Sequence, residues 1–170
     1  MNRYFIAFGA NIGEIQDNFK KAAKLIASNI GNITLKSSLY SSQALTLDSK
    51  EKQSDYINCV ICVESEKNEK EVLAELNSIE KLLGRQRIRK WDSRVIDLDI
   101  IANGQKYFKS EALEVPHKQM HKRTFVLYPM LEIEPDWIHP VLKKSITEMV
   151  NDLNEKTPCE TLKSFPDYEF

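Results

Sequence analysis

Apolar positions along this chain follow first a strand period, then a helical one, and the alternation repeats. Residues 3–8 are almost all apolar, which predicts a buried first strand. Gly9-Ala10-Asn11-Ile12-Gly13 follows, and its glycines permit a tight turn. From Ile15 onward Phe19, Ala22, Ala23, Ile26 and Ile30 recur at helical spacing, predicting a helix that packs on a sheet and ends at Gly31-Asn32. Ile33, Leu35, Ser37 and Leu39 alternate with polar neighbours and predict a half-buried second strand to about Tyr40. Residues 41–55 are polar, aperiodic and long for a connection, as binding loops and lids often are. Residues 56–63, YINCVICV, then predict a central third strand.

Asn68, with Glu71 three residues later, is a capping-box signal. Val72, Leu76, Ile79 and Leu83 mark the helix it opens, and Gly84 suits the position just past its end. Residues 95–101 alternate apolar and acidic side chains, predicting a fourth strand. Asn103-Gly104 is a hairpin signal, so residues 105–108 are expected to pair back on that strand. Pro116 begins a loop; residues 125–131 predict a short helix interrupted by Pro129, and residues 145–153 a last amphipathic helix. The tail after Pro158 shows no period. The order β-α-β-β-α-β predicts a ferredoxin-like α+β fold, an antiparallel sheet with helices on one face. With no internal repeat or linker-like stretch, residues 1–170 are expected to form a single domain.

Charge narrows the classes of partner. Lys and Arg number 24 against 25 Asp and Glu, so no global field points to nucleic acid or a membrane surface. No apolar run approaches the roughly 18 residues of a membrane span, and the N-terminal residues lack a signal-peptide pattern. Three cysteines, an odd count, argue against a disulfide framework and for a cytoplasmic protein. No extra hydrophobic stripe demands a partner, so a monomer is the expectation.

The chemistry concentrates in residues 84–101, GRQRIRKWDSRVIDLDII. Arg85, Arg87, Arg89, Lys90 and Arg94 form a basic cluster with Trp91 among them. Asp97 and Asp99, two apart on a strand, share a face with Cα atoms about 6.5 Å apart. Paired carboxylates repel and are costly to desolvate unless a cation lies between them. A polyanion on the arginines, bridged to the aspartates by magnesium, satisfies both groups. An edge strand with solvated aspartates beside a solvated basic loop is the plainer alternative.

Other candidates are weaker. Cys59 and Cys62 form C-x-x-C inside a buried strand and read as core. His117 and His121 have a zinc-compatible spacing without a third ligand. Asn58 interrupts an apolar strand and needs partners, from the edge of a heteroaromatic ligand or from backbone.

Taken in order, FGANIG, DYIN (55–58), SRVIDLDI, VPH (115–117) and RTFVLYPM resemble the motifs of the 6-hydroxymethyl-7,8-dihydropterin pyrophosphokinases of folate biosynthesis, from Tyr4 to about Leu153. The resemblance implies transfer of the pyrophosphoryl group of ATP to the pterin hydroxymethyl oxygen, releasing AMP. It implies two magnesium ions on Asp97 and Asp99, and catalytic roles for Arg85, Arg87 and Arg94. It places Glu80, Trp91, Arg94, His117 and Arg123 at the nucleotide, and Ser42, Leu45, Tyr56, Asn58 and Phe125 at the pterin. Ser42-Gln43-Ala44-Leu45 departs from the family's Thr-Pro segment, and Asp92-Ser93 stands where Gly-Pro is common. The competing readings are another magnesium-dependent nucleotide phosphotransferase and a non-catalytic ferredoxin-like ligand-binding module. An RNA-binding module is disfavoured, because its aromatic strand pattern is absent.

Overall fold

A computed structural model describes residues 1–43, 54–85 and 94–153, with the backbone alone of 159–161. Along the chain lie β1 (Asn2–Ala10), α1 (Ile15–Asn29), β2 (Asn32–Lys36), β3 (Tyr40–Ser42), β4 (Tyr56–Ser65) and α2 (Glu69–Leu82). They are followed by β5 (Asp97–Asn103), β6 (Phe108–Lys109), β7 (Glu114–Val115), α3 (Thr124–Ile133), α4 (Ile146–Asn151) and β8 (Cys159–Thr161). The main sheet runs β5-β1-β4-β3-β8, with β2 also on β4, and every pairing in it is antiparallel. That is the ferredoxin-like order the element sequence predicts.

The sheet is covered on both faces, where the sequence pattern led us to expect helices on one. Phe19, Ala22 and Ile26 of α1 and Val72, Leu76 and Ile79 of α2 pack against Ile6, Phe8, Ile61, Leu98 and Ile100. On the opposite face Phe5, Val60, Cys62 and Ile101 meet Val126, Leu127 and Met130 of α3, Trp137, and Ile146 and Met149 of α4. This second layer was concealed because α3 is apolar nearly all round and carries Pro129 at its centre. The helix passes through the proline: Val126, Leu127 and Met130 are fully buried, and that packing offsets one missing backbone bond.

Other expectations change in detail. β1 continues through Gly9 and Ala10, so the tight turn falls later, at Gly13 with φ of 76°. The expected second strand is two strands, separated at residues 37–39, where the Ser37 hydroxyl takes the Val60 N–H. Residues 105–108 do not return on β5. The turn after Asn103 forms, but Phe108–Lys109 pairs with Glu114–Val115, and the His117 N–H takes the Ile101 carbonyl. The tail contributes a strand, β8, too short for a period to register.

Both helix-end signals in the middle of the chain are realised. Asn68 accepts the Lys70 and Glu71 N–H groups while Glu71 returns a bond to the Asn68 N–H. At the other end Gly84 has φ of 88°, its N–H meets the Lys81 carbonyl and the Arg85 N–H meets that of Glu80. This is a Schellman closure, and it delivers Arg85 to the start of β5.

Candidate active site

Register places the acidic and polar candidates on one face. Gly9 of β1 lies opposite Asn58 of β4 on one side and Asp97 of β5 on the other, and Ala7 lies opposite Asp99. Side chains two apart on a strand share a face, so Tyr56, Asn58, Asp97 and Asp99 all project toward the α3 side. A register shift between Phe5 and Ile6 puts Ile101 and Ala102 together into that layer's core. The carboxylates thus occupy the end of β5 where this apolar layer stops.

Gly9 is the gap between the two groups. A β-carbon there would stand 3.4 Å from Asn58 Oδ1 and 4.0 Å from both Asp97 Cβ and Tyr56 Cδ1. Its bare backbone is a floor joining the carboxylate side to the Tyr56–Asn58 side. Sequence reasoning used Gly9 only as a turn residue and missed this. The pairing of YIN with a glycine on the neighbouring strand was the available signal.

Asp97 is held on both oxygens. Arg94 Nη1 contacts Oδ2, and Arg85 Nη1 lies 2.7 Å from Oδ1 while also contacting Glu80 Oε1. Glu80 is 4% exposed, and the same Oε1 accepts the Leu98 N–H at 2.7 Å. Burial raises the Glu80 carboxyl above its ordinary value, while the Leu98 N–H and Arg85 pull it back. Glu80 therefore ties α2 to the outer edge of β5. Asp99 is raised first by burial and then by Asp97, with Arg123, Arg85 and Arg94 opposing. A carboxylate in that setting favours an added cation. Two neighbouring carboxylates with three guanidiniums around them suit magnesium and the phosphates it carries, since magnesium takes few protein ligands and keeps the rest for phosphate oxygen and water.

The third group comes from the approach to α3. Arg123 lies 5.6 Å over the Phe125 ring, and its Nη2 donates to Gln119 Oε1. His117 Nδ1 accepts the Gln119 N–H at 3.1 Å, which leaves Nε2 to carry the proton of a neutral ring. Burial, followed by the Arg123 charge, lowers its pKa from 6.5 to about 4. At neutral pH His117 is then an uncharged donor beside a permanent cation, a combination suited to phosphate oxygens. Because its folded pKa lies below the unfolded value, the unfolded chain binds the proton more readily. Stability linked to His117 is full above 6.5 and is lost as pH falls toward 4. Thermal unfolding of His117→Asn should depend less on pH across that window than the parent does; parallel profiles would refute this.

On the other side of Gly9, Asn58 is 4% exposed and Nδ2 donates to Ser42 Oγ at 2.8 Å and to the Tyr56 carbonyl at 3.3 Å. A hydroxyl and a backbone carbonyl therefore meet the need that the sequence exposed. Ser42 is buried on β3, whose backbone pairs with Tyr56. The structure thus gathers Ser42, Tyr56, Asn58, Glu80, Arg85, Arg94, Asp97 and Asp99 around the β1–β4–β5 ends, with His117 and Arg123 on the approach to α3 and Phe125 in its first turn. Leu45, Arg87 and Trp91 lie outside the described residues.

Fold and site together define a ferredoxin-like α+β domain with an acidic pair among guanidiniums, a grouping suited to phosphoryl-transfer chemistry. A profile described as 7,8-dihydro-6-hydroxymethylpterin-pyrophosphokinase (HPPK) matches residues 5–135. Three relatives are named 2-amino-4-hydroxy-6-hydroxymethyldihydropteridine pyrophosphokinase. That of Haemophilus influenzae is 38% identical, the match covering 86% of this chain and 89% of its own. That of Synechocystis is 35% identical, covering 88% and 75%, and that of Aquifex aeolicus 31% identical, covering 96% and 99%. The chain belongs to the 7,8-dihydro-6-hydroxymethylpterin-pyrophosphokinase family. A solved structure of Plasmodium falciparum HPPK-DHPS shares the fold at a TM-score of 0.68 and 16% identity, covering 89% of this chain. This chain spans only 43% of that longer one.

Proposed function

We propose that the protein transfers the β,γ-pyrophosphoryl group of ATP to the hydroxymethyl oxygen of 6-hydroxymethyl-7,8-dihydropterin, giving the pterin diphosphate and AMP. Besides family membership, one observation carries the reading: Asp97 and Asp99 share a sheet face with Tyr56 and Asn58, separated only by the bare backbone of Gly9. A flat heterocycle over Tyr56 and Asn58 and a triphosphate over the carboxylates would then be neighbours. Phe125 of α3 would take the other face of that heterocycle, and Ser42 orients the Asn58 amide.

In the reaction the pterin oxygen bonds to the β-phosphorus while the bond from that phosphorus to the α,β-bridging oxygen breaks. The hydroxyl proton passes to solvent. Two magnesium ions, held by Asp97 and Asp99 when bound, supply charge neutralisation on the polyphosphate. Arg85 and Arg94, which flank Asp97, would contact phosphate oxygens of the bound nucleotide. Arg123 and His117 hold the phosphates from the opposite side, and their fixed orientation lowers the cost of charge building on the leaving group. Arg87 and Trp91 are proposed at the nucleotide and Leu45 at the pterin, on the motif resemblance alone. Among the described residues no helix is long and apolar enough to cross a membrane. A cytoplasmic monomer acting on small molecules, without nucleic acid, is part of the proposal.

The test is an assay with ATP, magnesium and the pterin in which AMP and ADP are separated. Pterin-dependent AMP is expected. ADP would move the transfer to the γ-phosphate and to a different phosphotransferase, and ligand binding without turnover would leave a binding module.

A further inference from the structure

Asn11 has no part in the roles assigned above, yet its side chain makes two of the long-range bonds at the site. It stands one residue beyond β1 at 3% exposure. Its Oδ1 accepts the Arg94 N–H at 2.7 Å, and its own N–H donates to the Arg94 carbonyl at 3.0 Å. Its Nδ2 donates to the Ser54 carbonyl at 3.2 Å.

Those two partners lie just ahead of β4 and β5. One carboxamide therefore braces the approach to both strands. Each approach leads to a different half of the site. Arg94 carries the guanidinium on Asp97, three residues on. Ser54 precedes Tyr56 by two residues, at the start of the strand that bears Asn58. A residue needed only to fill space here would be apolar. Asn instead presents an acceptor to an N–H and a donor to a carbonyl, and its carboxamide supplies the two from separate atoms of one planar group.

We infer that Asn11 is a positioning residue for both ligands, aligning Arg94 for the triphosphate and the Ser54–Tyr56 segment for the heterocycle. The identity of those ligands rests on the pyrophosphokinase reading. The side chain acts through backbone it immobilises, so its loss misplaces two groups without removing either.

Calorimetric binding by the full chain tests this, with adenosine 5′-(α,β-methylene)triphosphate plus magnesium as one probe and 6-hydroxymethylpterin as the other. Asn11→Ala should weaken each by about 10-fold, the scale of one buried hydrogen bond. Arg94→Ala combined with Asn11→Ala should lose little more nucleotide affinity than Arg94→Ala alone, because both act through one guanidinium. Asn11→Asp keeps the acceptor for Arg94 and loses the donor to Ser54, so nucleotide affinity should recover while pterin affinity stays low. Additive losses in the double variant, or parent-like affinities in a folded Asn11→Ala protein, overturn the inference. Should Asn11→Ala not fold, equal losses of both ligands by folded Asn11→Asp overturn it as well. A parent protein that binds neither probe would overturn the pyrophosphokinase reading itself, a pattern distinct from parent binding with unaffected variants.

Discussion

Asp97→Ala and Asp99→Ala should each lower pterin-dependent AMP formation by about 1000-fold or more, equivalent to roughly 4 kcal/mol of transition-state stabilisation. In the proposed reaction both carboxylates would hold the metal that neutralises charge on the polyphosphate, so removing either would leave it under-held. The two variants separate on a second axis. Asp97 bridges Arg85 and Arg94, so Asp97→Asn breaks two ion pairs and should lower the thermal midpoint of the metal-free protein. Asp99 is a half-buried carboxylate beside another, so Asp99→Asn relieves repulsion and desolvation and should raise that midpoint. Turnover assays and unfolding curves without magnesium, run on the same preparations, check both. Midpoints moving in the same direction would contradict the asymmetry between the two aspartates, and parent-like turnover in either alanine variant would remove the metal site.

The second large effect lies far from the chemistry. Gly31→Ala should destabilise the fold by about 3 kcal/mol, at the upper end of ordinary overpacking, and lower the melting temperature by roughly 10 °C. A β-carbon at Gly31 would stand 2.0 Å from the Glu64 carbonyl oxygen and 2.9 Å from its carbon, both backbone atoms of β4. They cannot swing aside as a side chain can, because Asn32 pairs with Glu64 and Ser65 Oγ holds the Ile30 carbonyl at 2.6 Å. The whole α1–β2 junction would have to move. Gly84 gives the contrast: it has open space around its β-carbon position and only a left-handed φ to maintain, so alanine there should cost about 1 kcal/mol. Denaturant titration of the two variants reads the difference, and a Gly31→Ala protein within 0.5 kcal/mol of the parent would refute the argument.

Much of this molecule was legible in its sequence, and what was not has physical causes. Strands β1, β4 and β5 and helices α1 and α2 announce themselves because each has one clear period, and Asn68 and Gly84 fix the ends of α2 by local bonds. The α3 layer was harder to see. A helix apolar on every side has no moment to detect, and Pro129 suggests a break that burial overrides. The pairing of β6 with β7 involves two residues on each strand, too few for a period to register. At the site, the Asp97–Asp99 pair was readable from spacing alone. The parts played by Gly9 and Asn11 were not: a glycine floor and a carboxamide brace acquire meaning only when strands distant in sequence meet in register.

The two faces of the sheet have unequal freedom to drift. On the α1 side the demands are volume and apolarity, which many combinations of Leu, Ile, Val and Phe satisfy. On the α3 side the candidate contacts carried by β4, β5 and α3 share a layer with the packing, and among the described residues Glu80 and Arg85 reach them from the end of α2. Related chains should therefore exchange core residues freely behind the sheet while α3 and its approach change slowly. Library designs that randomise the α1–α2 layer could raise robustness with little risk to turnover.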